Sequence, residues 1–400
     1  MRASGRRDQD PEPDPDRDPH AAPDPGDQCV VELSGVSESA ALLRAKGATT
    51  QAGFTSERIP GWLFRHRPIL MDDGPGHLEH RKRLVRFFSP RTLEDTHRAF
   101  IERTAAGLVD AAKREGSSRI DDLALFFSVR VASEIVGLSG GDTEALARRL
   151  EAFFRQPPVD HTRRDHGRTQ RQWARAAKDA LVPLMSFYWR DVRPAIRARR
   201  ARPADDIISH LLEHGYRPRE ILMECLTYGT AGMVTTREFM SMALLRLLQD
   251  SELRARYLGA EIAERTEMLS EIIRLEPPVS HIYRRVASPA PGCPYAPDTL
   301  VDINVRRANV DPEVFGPDPE AIETGRGLPA AARTGLSFGD GAHRCPGSHL
   351  ALMETDTLLV TLLRAGATLE RQPDRGFDTL VQGYQLRGLV VSFTAPAAAP

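Results

Sequence analysis

Apolar positions along most of this chain recur at three- and four-residue steps, the spacing of one face of an α-helix. The pattern predicts helices over residues 37–46, 77–88, 92–115, 120–137 and 142–155. A basic, mostly helical run follows from Arg164 to Arg200, interrupted by Pro183 and Pro194. Residues 217–250 form one long apolar helical pattern, 262–275 another, and Ser348 to Leu363 a third. Strand-like runs are short and late, at 281–287, 299–305, 366–371 and 385–394. Residues 52–76 are irregular, punctuated by Pro60, Pro68, Gly74 and Pro75. Residues 1–28 are Asp, Pro, Arg and Gly with almost nothing apolar, and composition predicts a disordered tail. The expectation is a tail over 1–28 and a single domain over 29–400, mainly α with a small β region.

Composition removes several functions. The chain has 400 residues with 54 Lys+Arg against 55 Asp+Glu, so no global charge argues for nucleic acid. The arginine-rich run 190–200 lacks interleaved aromatic platforms and reads as a solvated helix end. Cys29, Cys225, Cys293 and Cys345 show no Cys-x-x-Cys spacing, which argues against zinc, an iron–sulfur cluster, covalent haem attachment and a disulfide framework. No apolar run reaches the roughly 18 residues a membrane span needs, and the N-terminus has no apolar signal core. The expectation is a cytoplasmic protein with no membrane partner.

Chemistry concentrates at Ser337-Phe-Gly-Asp-Gly-Ala-His-Arg-Cys-Pro-Gly347. A lone cysteine near glycines is usually just buried. This one stands directly before a helix, whose positive end favours a thiolate. Gly339, Gly341 and Gly347 let the backbone approach a flat ligand, Phe338 can shield the sulfur, and His343 and Arg344 add cationic donors. A second unusual stretch is Gly229-Thr-Ala-Gly-Met-Val-Thr-Thr236, inside the long helix. Each glycine there costs about 1 kcal/mol relative to alanine. Close helix packing or a thinned stretch facing a ligand would both explain it. Glu271 and Arg274, at i and i+3, share a helix face and by themselves read as an exposed pair.

Together these runs resemble the cytochrome P450 family of haem-thiolate monooxygenases, of the soluble bacterial type, over about residues 30–395. The resemblance implies the family's fold, with haem between the long central helix and the helix after the cysteine loop. It implies haem b ligated through iron by Cys345, within a loop to which Phe338, Gly339, His343 and Gly347 belong. Thr235, with Thr236 beside it, takes the place of the threonine that handles dioxygen and protons. The acid that usually precedes this threonine is Val234 here, and Glu238, one turn on, is the candidate substitute. His77, Arg81, Arg285 and His343 match the clamp on the haem propionates. Glu271, Arg274 and Arg326 match a buried structural network behind the cysteine loop. Substrate contacts are expected from Trp62, Tyr228, Ala231, Met233, Ile282 and Tyr384, lining a pocket for a medium-sized, mostly apolar molecule.

The implied reaction is hydroxylation or epoxidation with O2 and two electrons, within secondary metabolism. Basic residues Arg81, Lys82, Arg83, Arg86 and Arg344 are either a solvated face or the dock for a ferredoxin or flavodoxin-type electron donor. Three rivals stay open: an atypical reaction prompted by Val234, a non-catalytic haem sensor, and a metal-free helical binding module.

Overall fold

In the computed structural model of the chain, residues 28–53, 66–138, 140–287 and 294–393 are described. Almost all of the tail expected over 1–28 lies outside them, as do Trp62, Phe54, Ile59, Leu63 and Cys293. The described chain is helix-rich, with three small sheets at its margins.

The central helix runs from Pro218 to Gln249. Pro218 fits its first turn, where the missing N–H has no intrahelical partner anyway. Glu220 accepts the Arg217 backbone N–H at 2.8 Å and closes the N-terminal end. Twenty of its 32 residues are buried, which is why its sequence is apolar nearly all round and not striped. The helix Ile120–Val136 packs along it, and Ser128 Oγ donates to the Met233 carbonyl at 3.1 Å. The helix Ser348–Arg364 packs on another side, and its partners include Ile262–Leu275 and Arg98–Glu115.

The largest sheet orders its strands Val30–Leu33, Leu300–Asn304, His281–Val286 and Thr49–Gln51. The first pair is parallel and the others antiparallel. In the strand His281–Val286, neighbours project to opposite faces. Arg284 pairs in register with Gln51, and Arg285 with Thr50. A three-stranded sheet joins Ser117–Arg119, Val390–Phe393 and Ala367–Arg371, and a hairpin joins Asp374–Asp378 to Gly383–Arg387.

Most expected helices are present, with shifts at their ends. The expected 77–88 helix is an α-helix over Pro75–Leu84 and a tighter turn to Phe88. Residues 155–169, expected in part as helix, form a looped knot before the helix Gln170–Phe187 begins on its Thr169–Gln172 capping box. Helices Ile207–Glu213 and Ser251–Gly259 and strands Val30–Leu33 and Thr49–Gln51 are too short for periodicity to reveal.

Candidate active site

The cysteine loop is held in place before any ligand is considered. Gly339 and Gly341 sit at φ +64°, which favours glycine. A Cβ on Gly341 would overlap the Leu43 carbonyl, so the loop presses directly on the first helix, Val36–Arg44. The Cys345 N–H donates to the Phe338 carbonyl at 2.8 Å, closing the loop on itself. Gly347 caps the following helix, and a Cβ built on it would lie 4.0 Å from Cys345 Sγ. Burial pushes the Cys345 thiol up, while the Gly347 N–H and the guanidiniums of Arg81 and Arg344 oppose that rise. The residue as a whole is half-buried, while its thiol is surrounded by protein.

Opposite features occur on the central helix. Ala231 and Gly232 are exposed although they lie mid-helix among buried residues. A Cβ on Gly232 would meet nothing within 4 Å. Thr235 and Tyr228 are half-buried on either side of this strip. Thr235 Oγ1 donates to the Ala231 carbonyl at 2.6 Å, and Thr236 Oγ1 to Gly232 at 2.6 Å. Thr236 is buried, so of the two hydroxyls Thr235 borders the open strip.

The helix Pro75–Leu84 brings His77 and Arg81 to the edge of the cysteine loop. Arg81 donates to the Arg344 carbonyl, and burial lowers its pKa while the Cys345 and Tyr228 sites raise it. His77 is 1% exposed, and neither ring nitrogen has a partner. Its ring stacks on His343 at 4.0 Å, and burial, then His343 and Arg81, lower its pKa to about 4. His343 Nε2 bonds Asp73 at 2.9 Å and Nδ1 contacts Gln51 Nε2 at 3.2 Å. These residues fit an iron porphyrin: a thiolate ligand for iron, buried donors at an edge for carboxylates, and a bare helix strip for a flat ring.

Two expected site residues are corrected by the geometry. Arg285 points to the outer face of its strand, toward Gln28 at 3.1 Å and Asp298 at 3.5 Å. Its neighbour Arg284 takes the inner face, 5% exposed, bonded to Thr49 at 3.0 Å and 3.5 Å from Asp73. The strand's alternation therefore places Arg284, and not Arg285, beside Asp73. Glu238 is not a spare acid. Its carboxylate is 2.9 Å from Arg237 Nε and 2.8 Å from Arg387 Nη1, and it accepts the Leu386 N–H at 3.0 Å. Held in this way, it fastens the central helix to the strand Gly383–Arg387.

The remaining substrate-side expectations divide. Tyr228 stacks on Phe88 at 5.9 Å, and Ala231 lies on the open strip. Met233 is fully buried toward the helix Ile120–Val136, away from that strip. Ile282 lies against Gly339 of the cysteine loop, on the same strand face as Arg284. Tyr384 sits between Phe377 at 5.3 Å and the Arg306 guanidinium at 4.9 Å.

Glu271, Arg274 and Arg326 do form one network. Arg274, 0% exposed, donates to both Glu271 oxygens at 3.0 and 2.8 Å, and Arg326 donates to Glu271 at 2.9 Å. Sequence reasoning missed the residue that carries this network onward. Asn309 donates to the Arg274 carbonyl and the Ser337 hydroxyl, each at 2.8 Å, and accepts the Leu336 N–H at 2.7 Å. Asp73 and Gln51 were missed as well. Only their meeting with Arg284 and His343 singles them out.

Comparison with known proteins agrees with this geometry. The family model described as Cytochrome P450 matches residues 265–371. The erythromycin C-12 hydroxylase of Saccharopolyspora erythraea is 28% identical over 322 residues, 78% of this chain and 77% of that protein. A biotin biosynthesis cytochrome P450 of Bacillus subtilis is 27% identical over 345 residues, 83% of this chain and 82% of that one. The solved structure of a mutant of P450 EryK with erythromycin B superposes with a TM-score of 0.75 at 23% identity, covering 92% of each chain. With this fold and these likenesses over most of its length, the chain belongs to the cytochrome P450 family and is an oxidoreductase of its monooxygenase kind.

Proposed function

We propose that this protein binds haem b through Cys345 and uses O2 and two electrons to hydroxylate or epoxidise a medium-sized, mostly apolar organic molecule. The observation that carries the reading is the enclosed Cys345 thiol with Arg81 and Arg344 beside it, Arg81 also acting on Tyr228 of the central helix that bears the bare strip Ala231–Gly232. Bound there, the haem supplies oxygen activation, and the thiolate favours O–O cleavage. His77, Arg81 and Arg284 hold its carboxylates. Thr235 offers a hydroxyl beside the strip, able to turn from the Ala231 carbonyl toward a ligand. Phe88, Tyr228 and Ala231 supply apolar wall. The kinship to an erythromycin hydroxylase supports a substrate from secondary metabolism.

No described helix is long and apolar enough to cross a membrane, which suits a cytoplasmic enzyme. Electrons come from a ferredoxin or flavodoxin-type donor. Lys82, Arg83 and Arg86 are exposed next to Arg81, which itself touches the cysteine loop, so an acidic donor would arrive close to the sulfur.

The test is the absorption spectrum of the reduced, CO-bound protein. A strongly red-shifted Soret band is expected, lost in Cys345→His. A histidine-type spectrum in the unaltered protein overturns the reading. Val234, 4% exposed, supports a second reading in which the same site runs an atypical reaction such as peroxide-driven oxidation or oxidative coupling. Peroxide-supported turnover without any electron donor would favour it.

A further inference from the structure

Val234 removes the acid before Thr235, and the arginine-bound Glu238 does not replace it. The same helix holds another carboxyl group. Glu224 is 1% exposed, and its Oε2 has no partner. Its Oε1 accepts the Ile69 N–H at 3.0 Å. Four residues on, Tyr228 lies on the same helix face, its hydroxyl buried and equally without a partner. Seven residues beyond Tyr228, Thr235 returns to that stripe, with the exposed Ala231 and Gly232 between them. The rise from Tyr228 to Thr235 is about 10 Å, with the exposed Ala231 and Gly232 part of the way along it.

Behind Glu224 stands His80, Nδ1 3.8 Å from Oε1, with its Nε2 buried and unpartnered. That separation is too long for a hydrogen bond. His80 adjoins the Tyr216 ring at 5.4 Å, which stacks on the half-buried His66 at 4.3 Å. Polar side chains therefore run from the protein's margin to the strip beside Thr235. Such a row of orphaned groups in an interior is costly unless it serves a purpose.

We propose that Glu224, with His80 behind it and Tyr228 ahead of it, is the carboxylic acid that supplies protons to this site in place of the residue missing at Val234. The proposal rests on the monooxygenase reading above. The two groups are not within hydrogen-bond distance of each other, so in the transfer the Glu224 carboxyl proton passes through an intervening water to the Tyr228 oxygen as the Tyr228 O–H proton leaves toward the strip. Glu224 takes a replacement proton from the His80 side, so one proton enters from solvent for each delivered. No electron moves in this step. Burial, eased by the Ile69 N–H and reinforced by Asp72, raises the Glu224 pKa to about 8, so the group holds its proton at neutral pH. Burial, together with His210 and His66, lowers His80 to about 4, so the two meet as a neutral pair and not as an ion pair.

The test begins without turnover, by infrared difference spectroscopy of the resting holoprotein in H2O and D2O. A protonated-carboxyl band is expected at neutral pH, fading as pH rises through about 8. The component that fades near pH 8 should be lost in Glu224→Gln and kept in Glu354→Gln; Glu354, the other buried carboxyl with an unpartnered oxygen among the described residues, is also raised by burial and gives a separate component. Tyr228→Phe, which keeps the ring on Phe88, should shift the band. With a ligand chosen by spectral binding, coupled product should then fall by about 10²-fold in Glu224→Gln and Tyr228→Phe, with peroxide in its place. A band indifferent to Glu224→Gln, full coupling in both variants, or loss of haem from Glu224→Gln overturns the proposal. If Glu224→Gln does not fold, the Tyr228→Phe band shift and coupling decide. A CO spectrum without thiolate character would instead sink the monooxygenase reading and leave the infrared result standing.

Discussion

Arg284 and Arg285 are adjacent on one strand and serve opposite faces of its sheet: Arg284 reaches Asp73 within the interior, while Arg285 reaches Gln28 and Asp298 at the margin. Replacing the first leaves the Asp73 carboxylate to His343 and the Gln51 N–H, strips Thr49 of its buried partner and, on the proposed function, removes a cation from the haem edge. Arg284→Ala should cost on the order of 3–5 kcal/mol and reduce the haem-to-protein ratio. Arg285→Ala, facing a half-exposed aspartate, should cost less than about 1 kcal/mol and leave haem content unchanged. Urea unfolding and gel-filtered haem occupancy check both. Equal effects would contradict the two-faced arrangement.

Glu238→Gln should weaken the fold without altering proton supply. It breaks a buried contact with Arg237 and Arg387, a loss of about 3–5 kcal/mol. Peroxide released per electron pair should match the unaltered protein. A rise in peroxide at full haem content would restore Glu238 to the proton path.

Asn309→Ala should loosen the cysteine loop from behind. The Leu336 N–H and the Arg274 carbonyl each lose a buried partner, at about 1–3 kcal/mol apiece. Thermal denaturation should show the loss. The CO-bound spectrum, moreover, should convert over time from thiolate to thiol character.

Stability should depend on pH through Glu224. Its folded pKa is raised to about 8, whereas the unfolded chain has an ordinary carboxyl value near 4.3. Below the unfolded value both states carry the proton and the contribution to stability is whole. As pH rises from there to about 8, the unfolded state releases the proton while the folded state retains it, so stability falls. Above about 8 the slope ends. In Glu224→Gln that part of the slope should be absent, which denaturant titrations across this range will show.

Much of the site could be read from residues because its chemistry is local. The cysteine, its glycines and the following helix lie within one short run, and the loop needs those residue types wherever it occurs. Glu271 and Arg274, one helical turn apart, were legible as a pair, but their spacing alone reads as exposed, and only the resemblance implied that they are buried. What failed depended on partners distant in sequence. Two consecutive arginines cannot reveal which face is interior until Thr49–Gln51 sets the register. Glu238 has the right spacing from Thr235, but Arg387, 149 residues away, takes it. Asn309 is an ordinary loop residue until Arg274 and Leu336 close around it. Met233 is next to the strip in sequence but a third of a turn around the helix, where Ser128 meets its carbonyl.

The contact between Gly341 and the Leu43 carbonyl joins the two ends of the chain at the sulfur's own loop. Synthesis proceeds from the N-terminus, so the first helix has long left the ribosome when the cysteine is made. Between the end of the central helix at Gln249 and Cys345, the nascent chain has the helix and its strip but not yet the cysteine loop. Final closure of the loop must wait for a partner nearly 300 residues upstream, a long-range step that is slow by its topology. Closure of the cysteine loop is thus timed by the chain's own order, after the scaffold on which it packs.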